Sequence, residues 1–169
     1  MRNSSHFIGT VGFLLVGAAL TCSAVAKEPK VPKMVEFDTM VGVPPGMTGT
    51  KAPIRGINGG GLPWMIGGAS GELKSNGHLE LAVSGLVFAD GPNAGSNTIA
   101  SFRAIVSCLD ANGAPVNVIT DLFAATTGPA ATGGGSAAIE TYVALPKPCI
   151  APLIFVTSPA GAWFAATGN

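Results

Sequence analysis

The single histidine of residues 27–169 is the first candidate for chemistry. His78 precedes Glu80 by two residues, on what we predict to be the solvent face of an alternating strand. A Ser-His-Asp enzyme needs its histidine in a pocket beside a serine, so this pattern favours a surface histidine. The nucleophile motif G-x-S-x-G is also missing from the sequence, because Glu72 occupies the final glycine position of residues 68–72. Serine hydrolysis is therefore not predicted.

Paired carboxylates could support a different hydrolytic mechanism, in which two acidic residues flank the bond that breaks. The candidates are Asp90, Asp110, Asp121 and Glu140. They lie in different predicted turns and strands, so the sequence sets no distance between any two of them. A small secreted hydrolase that uses carboxylates therefore stays an alternative function, with no catalytic residue assigned.

Metal and cofactor sites have little support in the sequence. Asp90, Asn93 and Asn97 could offer oxygens to calcium, but they lack the dense acidic spacing of a calcium loop and favour a plain turn. Two cysteines and one distant histidine are too few ligands for a zinc site. We therefore predict no metal and no cofactor.

A stretch rich in glycine and proline, residues 42–68, carries the side chains best suited to binding. These are Lys51, Arg55, Asn58 and Trp64. An indole beside a guanidinium and an amide can recognise a glycan or a peptide, and long irregular segments are often functional. We predict a binding surface here, which loses its ligand but keeps its fold when Trp64 or Arg55 is replaced. The alternative is a structural loop with Trp64 in the core.

The composition argues against two broad classes of protein. The chain has nine basic and nine acidic residues, a formal net charge of 0 and no basic block. A nucleic-acid partner is therefore not expected, because phosphate binding requires a cationic surface. A hydrophobic share of 47% with only 11% charged residues argues against a disordered chain.

The first 26 residues have the pattern of a secretory signal peptide. Arg2 precedes an apolar stretch over residues 7–20, which is too short to span a bilayer, and residues 24–26 end in a small-residue cleavage site. We expect a secreted or periplasmic protein with no membrane span after cleavage; the alternative is a permanent anchor. Residues 27–33 are polar and contain two prolines, so we predict a flexible tether.

Cys108 and Cys149 are the two cysteines beyond the leader. A pair of cysteines in an exported chain predicts one disulfide, and two free thiols are the alternative. Cys108 lies on the apolar face of a predicted strand. We therefore expect the bond to pin the two sheets of the core together.

Alternating apolar and polar residues dominate the chain after residue 34. This period of two is typical of half-buried strands, and about eight such segments follow one another, separated by turn signals. The predicted fold class is all-β, with a single antiparallel β-sandwich domain over residues 34–169. It is immunoglobulin-like only in a loose sense, because no tryptophan lies between the two cysteines.

One predicted hairpin has a well-defined register. A two-residue Asn-Gly turn would place Leu73 opposite Glu80, whereas a three-residue loop pairs Leu73 with Leu79. Register follows the buried face, so we predict the three-residue loop. It places Gly77 at a left-handed position and leaves Glu72 opposite Glu80.

Two stretches of the chain together resemble a group of small exported bacterial proteins that carry no assigned function. They are VGVPPGMTGTKAPIRGINGGGLPW (41–64) and LPKPCIAPLIFVTSPAGAWFAATG (145–168). The resemblance implies export and a single domain, and it supplies no catalytic residue. The hairpin sequence GELKSNGHLELAVSGLVF also resembles a strand pair of the CHRD domain, a β-rich extracellular module, without the histidine-containing segment usual there.

The function we expect from these observations is a secreted, non-catalytic binding or envelope-associated module whose ligand is a glycan or a peptide. The carboxylate hydrolase described above is the second hypothesis. Self-assembly of a surface protein through an exposed edge strand is the third, because an unpaired strand edge can pair with another chain.

Overall fold

The computed structural model describes residues 30–167, which form two large antiparallel sheets and two small two-stranded sheets. The predicted signal peptide and the first residues of the predicted tether lie outside this range. Within it, all regular structure is strand apart from two short 3-10 helices, Pro45–Met47 and Ala130–Thr132. The all-β class predicted from the alternating pattern is confirmed.

Eight strands within residues 30–167 have four or more residues, and six more are two-residue segments. The longer strands are β1 (Lys33–Phe37), β4 (Gly68–Lys74), β5 (His78–Ser84), β8 (Ser101–Leu109), β9 (Pro115–Ile119), β12 (Ala137–Tyr142), β13 (Ile150–Thr157) and β14 (Trp163–Ala166). The short strands are β2 (Val41–Gly42), β3 (Trp64–Met65), β6 (Val87–Phe88), β7 (Ser96–Asn97), β10 (Phe123–Ala124) and β11 (Gly128–Pro129).

Two sheets enclose the core, as expected for a sandwich. The first sheet has the strand order β1-β4-β5-β12, and the second has the order β10-β8-β13-β14-β2, with β9 also paired to β8. Both sheets contribute apolar side chains to one buried cluster. Its members include Leu73, Leu79, Leu81 and Ile139 from the first sheet and Phe102, Ala104, Val106 and Ile154 from the second.

Residues 35–41 alternate apolar Val35, Phe37 and Val41 with largely polar positions, as one strand would, but they are divided between the two sheets. β1 pairs with β4, whereas β2 pairs with β14. The alternating pattern continues across this change of sheet and therefore does not reveal it. β1 begins at Lys33, and the Pro32 carbonyl accepts a hydrogen bond from the Ser75 N–H, so the end of the predicted tether is attached to the first sheet.

The β4–β5 hairpin has the predicted three-residue loop. Leu73 pairs with Leu79 and Glu72 with Glu80, while Gly77 has a φ of 88°. Glycine suits this position because other residues rarely adopt such a φ. A Cβ atom there would also collide with the carbonyl oxygen of Val143. The predicted register is confirmed.

Cys108 and Cys149 form the predicted disulfide, with Cα atoms 4.9 Å apart. The bond joins the end of β8 to the residue before β13, and these strands are neighbours in the second sheet. The prediction that it pins one sheet to the other is therefore wrong. Cys108 does face the core, but a core-facing cysteine can pair with an adjacent strand as well as with the opposite sheet.

The glycine- and proline-rich segment packs against the second sheet. Its backbone extends the β14 edge, because the Trp163 N–H donates to the Asn58 carbonyl and the Gly60 N–H donates to the Trp163 carbonyl. Ile57 of this segment lines a groove together with Ile105 of β8. Ile105 is buried although it points away from the first sheet. The segment therefore covers part of the outer face of the second sheet, whereas Ile119, the partner of Ile105, stays 54% exposed.

Candidate functional site

The outer face of the first sheet carries a row of four glutamates, one from each strand. Strand register places Glu36 opposite Glu72, Glu72 opposite Glu80, and Glu80 opposite Glu140. Like charges directly opposite each other destabilise a sheet. This glutamate row therefore requires compensation, either from the protein itself or from a ligand.

A second row of polar side chains lies beside the first on the same face. Its members, in strand order, are Lys33, Lys74, His78 and Tyr142. The basic groups of this row alternate with the glutamates in a zigzag that crosses the whole sheet. Lys30 also lines the groove beside this second row, and Asp38 lies beside the glutamate row. Three lysines and one histidine therefore face five carboxylates, and acidic groups remain in excess.

Charge compensation is strong at the β1 end of the glutamate row. Lys33 Nζ lies 2.7 Å from Glu36 Oε1 and 2.6 Å from Glu72 Oε2. Lys74 Nζ lies 2.9 Å from the other oxygen of Glu72. The hydrogen bonds from Lys33 and Lys74 lower the pKa of Glu72 to about 2. The hydrogen bonds to Glu36 and Glu72 raise the pKa of Lys33, and the hydrogen bond to Glu72 raises the pKa of Lys74.

This pairing predicts an acid-induced loss of stability that Glu72→Gln should reduce. A carboxyl group whose pKa falls from 4.5 to about 2 on folding stabilises the native state above pH 4.5, and this contribution is lost as the pH falls toward 2. The urea midpoint of the wild type should therefore decrease between these pH values more steeply than that of the Glu72→Gln variant.

A suitable control for this measurement is Glu140→Gln, because within residues 30–167 the one basic group near Glu140 is His78, at 3.5 Å. Its urea midpoint should follow the wild-type slope. Equal slopes for the wild type and Glu72→Gln would show that the Glu72 pairing does not contribute to stability.

Charge compensation is weak at the β12 end of the row. Glu80 lies 3.9 Å from Lys74 Nζ and 3.4 Å from His78 Nδ1, and Glu140 lies 3.5 Å from His78 Nε2. Strong hydrogen bonds between charged groups measure about 2.7–2.9 Å. The carboxylates of Glu80 and Glu140 are therefore available to an external cation.

His78 lies on the outer face next to Glu80, as predicted, but it is largely covered. Only 12% of its side chain is exposed. The ring packs against Tyr142, with ring centroids 4.8 Å apart, and Nδ1 lies 3.4 Å from Lys74 Nζ. The imidazole is thus held in place, and each of its nitrogens faces a carboxylate.

A shallow trough runs beside the glutamate row, because the next outward-facing positions carry small side chains. Ser70, Ala82 and Ala138 occupy adjacent strands in register. The part of the trough nearer β1 has a volume of about 610 Å³ and also includes Asp38. Glu80 lines this part and the adjoining part toward β12. The trough therefore has the glutamate row along one side and Asp38 at its β1 end.

The four residues of the predicted binding surface do not lie together on an exposed face. Trp64 is only 3% exposed and stacks on Phe164 in the core, with ring centroids 3.8 Å apart. Lys51 and Asn58 are exposed. The buried indole leaves the segment without the aromatic surface contact on which the prediction depends.

Arg55 has a structural role that the sequence analysis missed. Its Nη1 donates to the Ser107 carbonyl at 2.6 Å and its Nη2 donates to the Ala151 carbonyl at 2.7 Å. The pairing of β13 with β8 is irregular between Ile150 and Leu153, so the guanidinium satisfies carbonyls at a bulge. Burial lowers the pKa of this guanidinium. No local sequence signal marks a bulge between distant strands.

The other candidate residues from the sequence stabilise the turns in which they lie or do not belong to the glutamate row. Asp90 and Asp110 accept hydrogen bonds from backbone N–H groups of the turns in which they lie. Asn97 is buried, and its side chain makes three hydrogen bonds to the backbone, which leaves it poorly placed for calcium. Among the four predicted carboxylates, Glu140 alone belongs to the row.

Comparison with known proteins identifies no relative. No protein family, curated protein or solved structure matches this chain. Among residues 30–167, none of the helices has the length and apolar character needed to cross a membrane. The geometry and charge of the first sheet are therefore the basis for a function.

Proposed function

We propose that this protein is an exported, non-catalytic binding module that holds a basic peptide segment on the outer face of its first sheet. The observation that carries the proposal is the in-register glutamate row, formed by Glu36, Glu72, Glu80 and Glu140. Short lysine contacts neutralise its β1 end only. Ammonium or guanidinium groups of a ligand neutralise the remaining glutamate charges at the β12 end.

Export of the protein is supported by two features. The predicted signal peptide directs the chain out of the cytoplasm. The disulfide between Cys108 and Cys149 suits an oxidising compartment, since such bonds are rare in the cytosol. The module then acts outside the cytoplasm, in the periplasm or beyond the cell.

A basic peptide fits this face better than a neutral glycan. Carboxylates on adjacent strands lie about 4.8 Å apart, a spacing that flexible lysine or arginine side chains reach from one extended backbone. The small side chains of Ser70, Ala82 and Ala138 leave room for that backbone. Tyr142, 69% exposed at the end of the second row, offers a ring face to a guanidinium.

Titration with a short peptide of alternating lysine and alanine tests this function. The wild type should bind it in a buffer of low ionic strength and bind it more weakly near 0.1 M salt, where charges are screened beyond about 10 Å. The double variant Glu80→Gln/Glu140→Gln should weaken binding about tenfold, because each exposed ion pair contributes up to about 1 kcal/mol. Isothermal titration calorimetry measures both effects.

Two controls distinguish binding at the glutamate row from nonspecific attraction of a basic peptide to exposed carboxylates. Asp121→Asn removes an exposed carboxylate between β9 and β10 and should leave the affinity unchanged. A peptide of alternating glutamate and alanine should not bind. Absence of lysine-peptide binding at low salt, or equal affinity of the wild type and the double variant, would rule out this function.

A further inference from the structure

We propose that His78, Glu80 and Glu140 form a binding site for one divalent d-block cation, represented by zinc. Glu80 and Glu140 are cross-strand partners on β5 and β12, and His78 is the partner of Tyr142 on the same strands. One ligand atom from each of the three residues lies within 4.8 Å of the others. The site goes beyond peptide binding, because it depends on an imidazole that the peptide does not need.

The imidazole of His78 is held before any ion arrives. The ring packs against Tyr142, with ring centroids 4.8 Å apart, and its Nδ1 lies 3.4 Å from Lys74 Nζ. Its side chain is 12% exposed, compared with 49% for Glu80 and 75% for Glu140. One ligand is therefore fixed and two are free to adjust, so binding has to order the side chains of the two glutamates but not the imidazole.

Each ring nitrogen of His78 lies near a carboxylate oxygen at about the distance that separates two ligands of one metal ion, but the two contacts involve different nitrogens. His78 Nδ1 lies 3.4 Å from Glu80 Oε1, and His78 Nε2 lies 3.5 Å from Glu140 Oε1. Two ligands bound to tetrahedral zinc at about 2.1 Å are roughly 3.4 Å apart. Only one ring nitrogen can bind a given ion. The carboxylate that lies beside the other nitrogen therefore has to turn toward the bound ion.

The ring nitrogen that binds the ion is Nε2. Lys74 Nζ lies 3.4 Å from Nδ1, and its positive charge opposes a cation on that side of the ring. Nε2 faces Glu140, at the end of the row where no lysine contact is found among the described residues. Glu80 completes the set by rotation of its exposed side chain.

The donor atoms define the class of metal. One imidazole nitrogen with two carboxylate oxygens suits zinc, copper(II) or nickel(II). Calcium takes six to eight oxygen ligands, and magnesium keeps most of its water in an octahedral shell. Three protein ligands leave a fourth position on zinc for water.

Titration of the tag-free purified protein with zinc chloride, in competition with a chromophoric chelator, tests the site. The wild type should bind one zinc ion per chain. His78→Ala should weaken zinc binding by at least about 100-fold, because loss of a residue that only supports a metal ligand already costs up to about 100-fold. Glu140→Gln should also weaken zinc binding, while Glu36→Gln at the far end of the row should not.

Glu140→Gln keeps the test decisive if His78→Ala impairs folding, because the Glu140 side chain is 75% exposed. Zinc should also shift the NMR signals of the His78 imidazole in the wild type. Failure of the wild type to bind zinc, or equal affinity in the wild type, His78→Ala and Glu140→Gln, would overturn the proposal. The zinc site and the peptide function can be tested independently, because His78→Ala should lose zinc binding but keep its affinity for the lysine peptide.

Discussion

Replacing both Cys108 and Cys149 by alanine should lower the free energy of unfolding by about 4 kcal/mol. The disulfide closes a loop between cysteines 41 residues apart. Closing a loop of this length lowers the conformational entropy of the unfolded chain, which is equivalent to about 4 kcal/mol of native-state stability. With a urea dependence of about 2 kcal/mol per molar, the unfolding midpoint should fall by about 2 M.

Reduction of the wild type provides the matched control for this variant, because it opens the same loop without removing the two sulfur atoms. The reduced protein and the double alanine variant should lose similar stability. The variant should lose slightly more, since Cys108 is fully buried and alanine leaves a small cavity. An unchanged midpoint after reduction would show that the pairing of β8 with β13 also persists in the denatured chain.

Replacing Trp64 by alanine should lower the free energy of unfolding by about 3–5 kcal/mol, the range observed when large aromatic side chains are removed from a core. The indole stacks on Phe164 and lies tilted against Phe88, with ring centroids 3.8 and 4.2 Å away. The backbone at Gly60 also packs closely against the indole, because a Cβ atom on Gly60 would lie 2.8 Å from Trp64 Nε1. Chemical denaturation followed by circular dichroism measures the loss.

Two further variants show whether Trp64 acts through packing. Trp64→Phe keeps an aromatic ring and should lose less stability than Trp64→Ala. Lys51→Ala, at an exposed position of the same segment, should change stability by no more than about 0.5 kcal/mol. A Trp64→Ala protein that keeps its stability but loses a ligand would instead support the binding surface predicted from the sequence.

The asymmetry of the glutamate row explains why both proposals concern the same end of the sheet. Glu72 has both carboxylate oxygens occupied by lysine ammonium groups. In the part of the chain that the structure describes, the basic groups nearest Glu80 and Glu140 lie 3.4 Å or farther from them. A cation that approaches the β12 end therefore displaces no short ion pair, whereas one at the β1 end competes with Lys33 and Lys74.

The sequence predicted well those features that depend on local patterns. Alternation of apolar and polar residues identified the strand-rich fold, because a half-buried strand repeats every two residues. The choice between two loop lengths gave the correct β4–β5 register, since only one of them placed Leu73 opposite Leu79. Glu72 opposite Glu80 followed from the same choice, so half of the glutamate row was predictable.

The other half of the row could not be predicted from the sequence. Glu36 and Glu140 lie on strands that pair with the hairpin from distant parts of the chain, and only tertiary packing sets their register with Glu72 and Glu80. The partner sheet of the Cys108–Cys149 bond is undetermined for the same reason. Local periodicity identifies which face of a strand is buried, but it carries no information on which distant strand lies beside it.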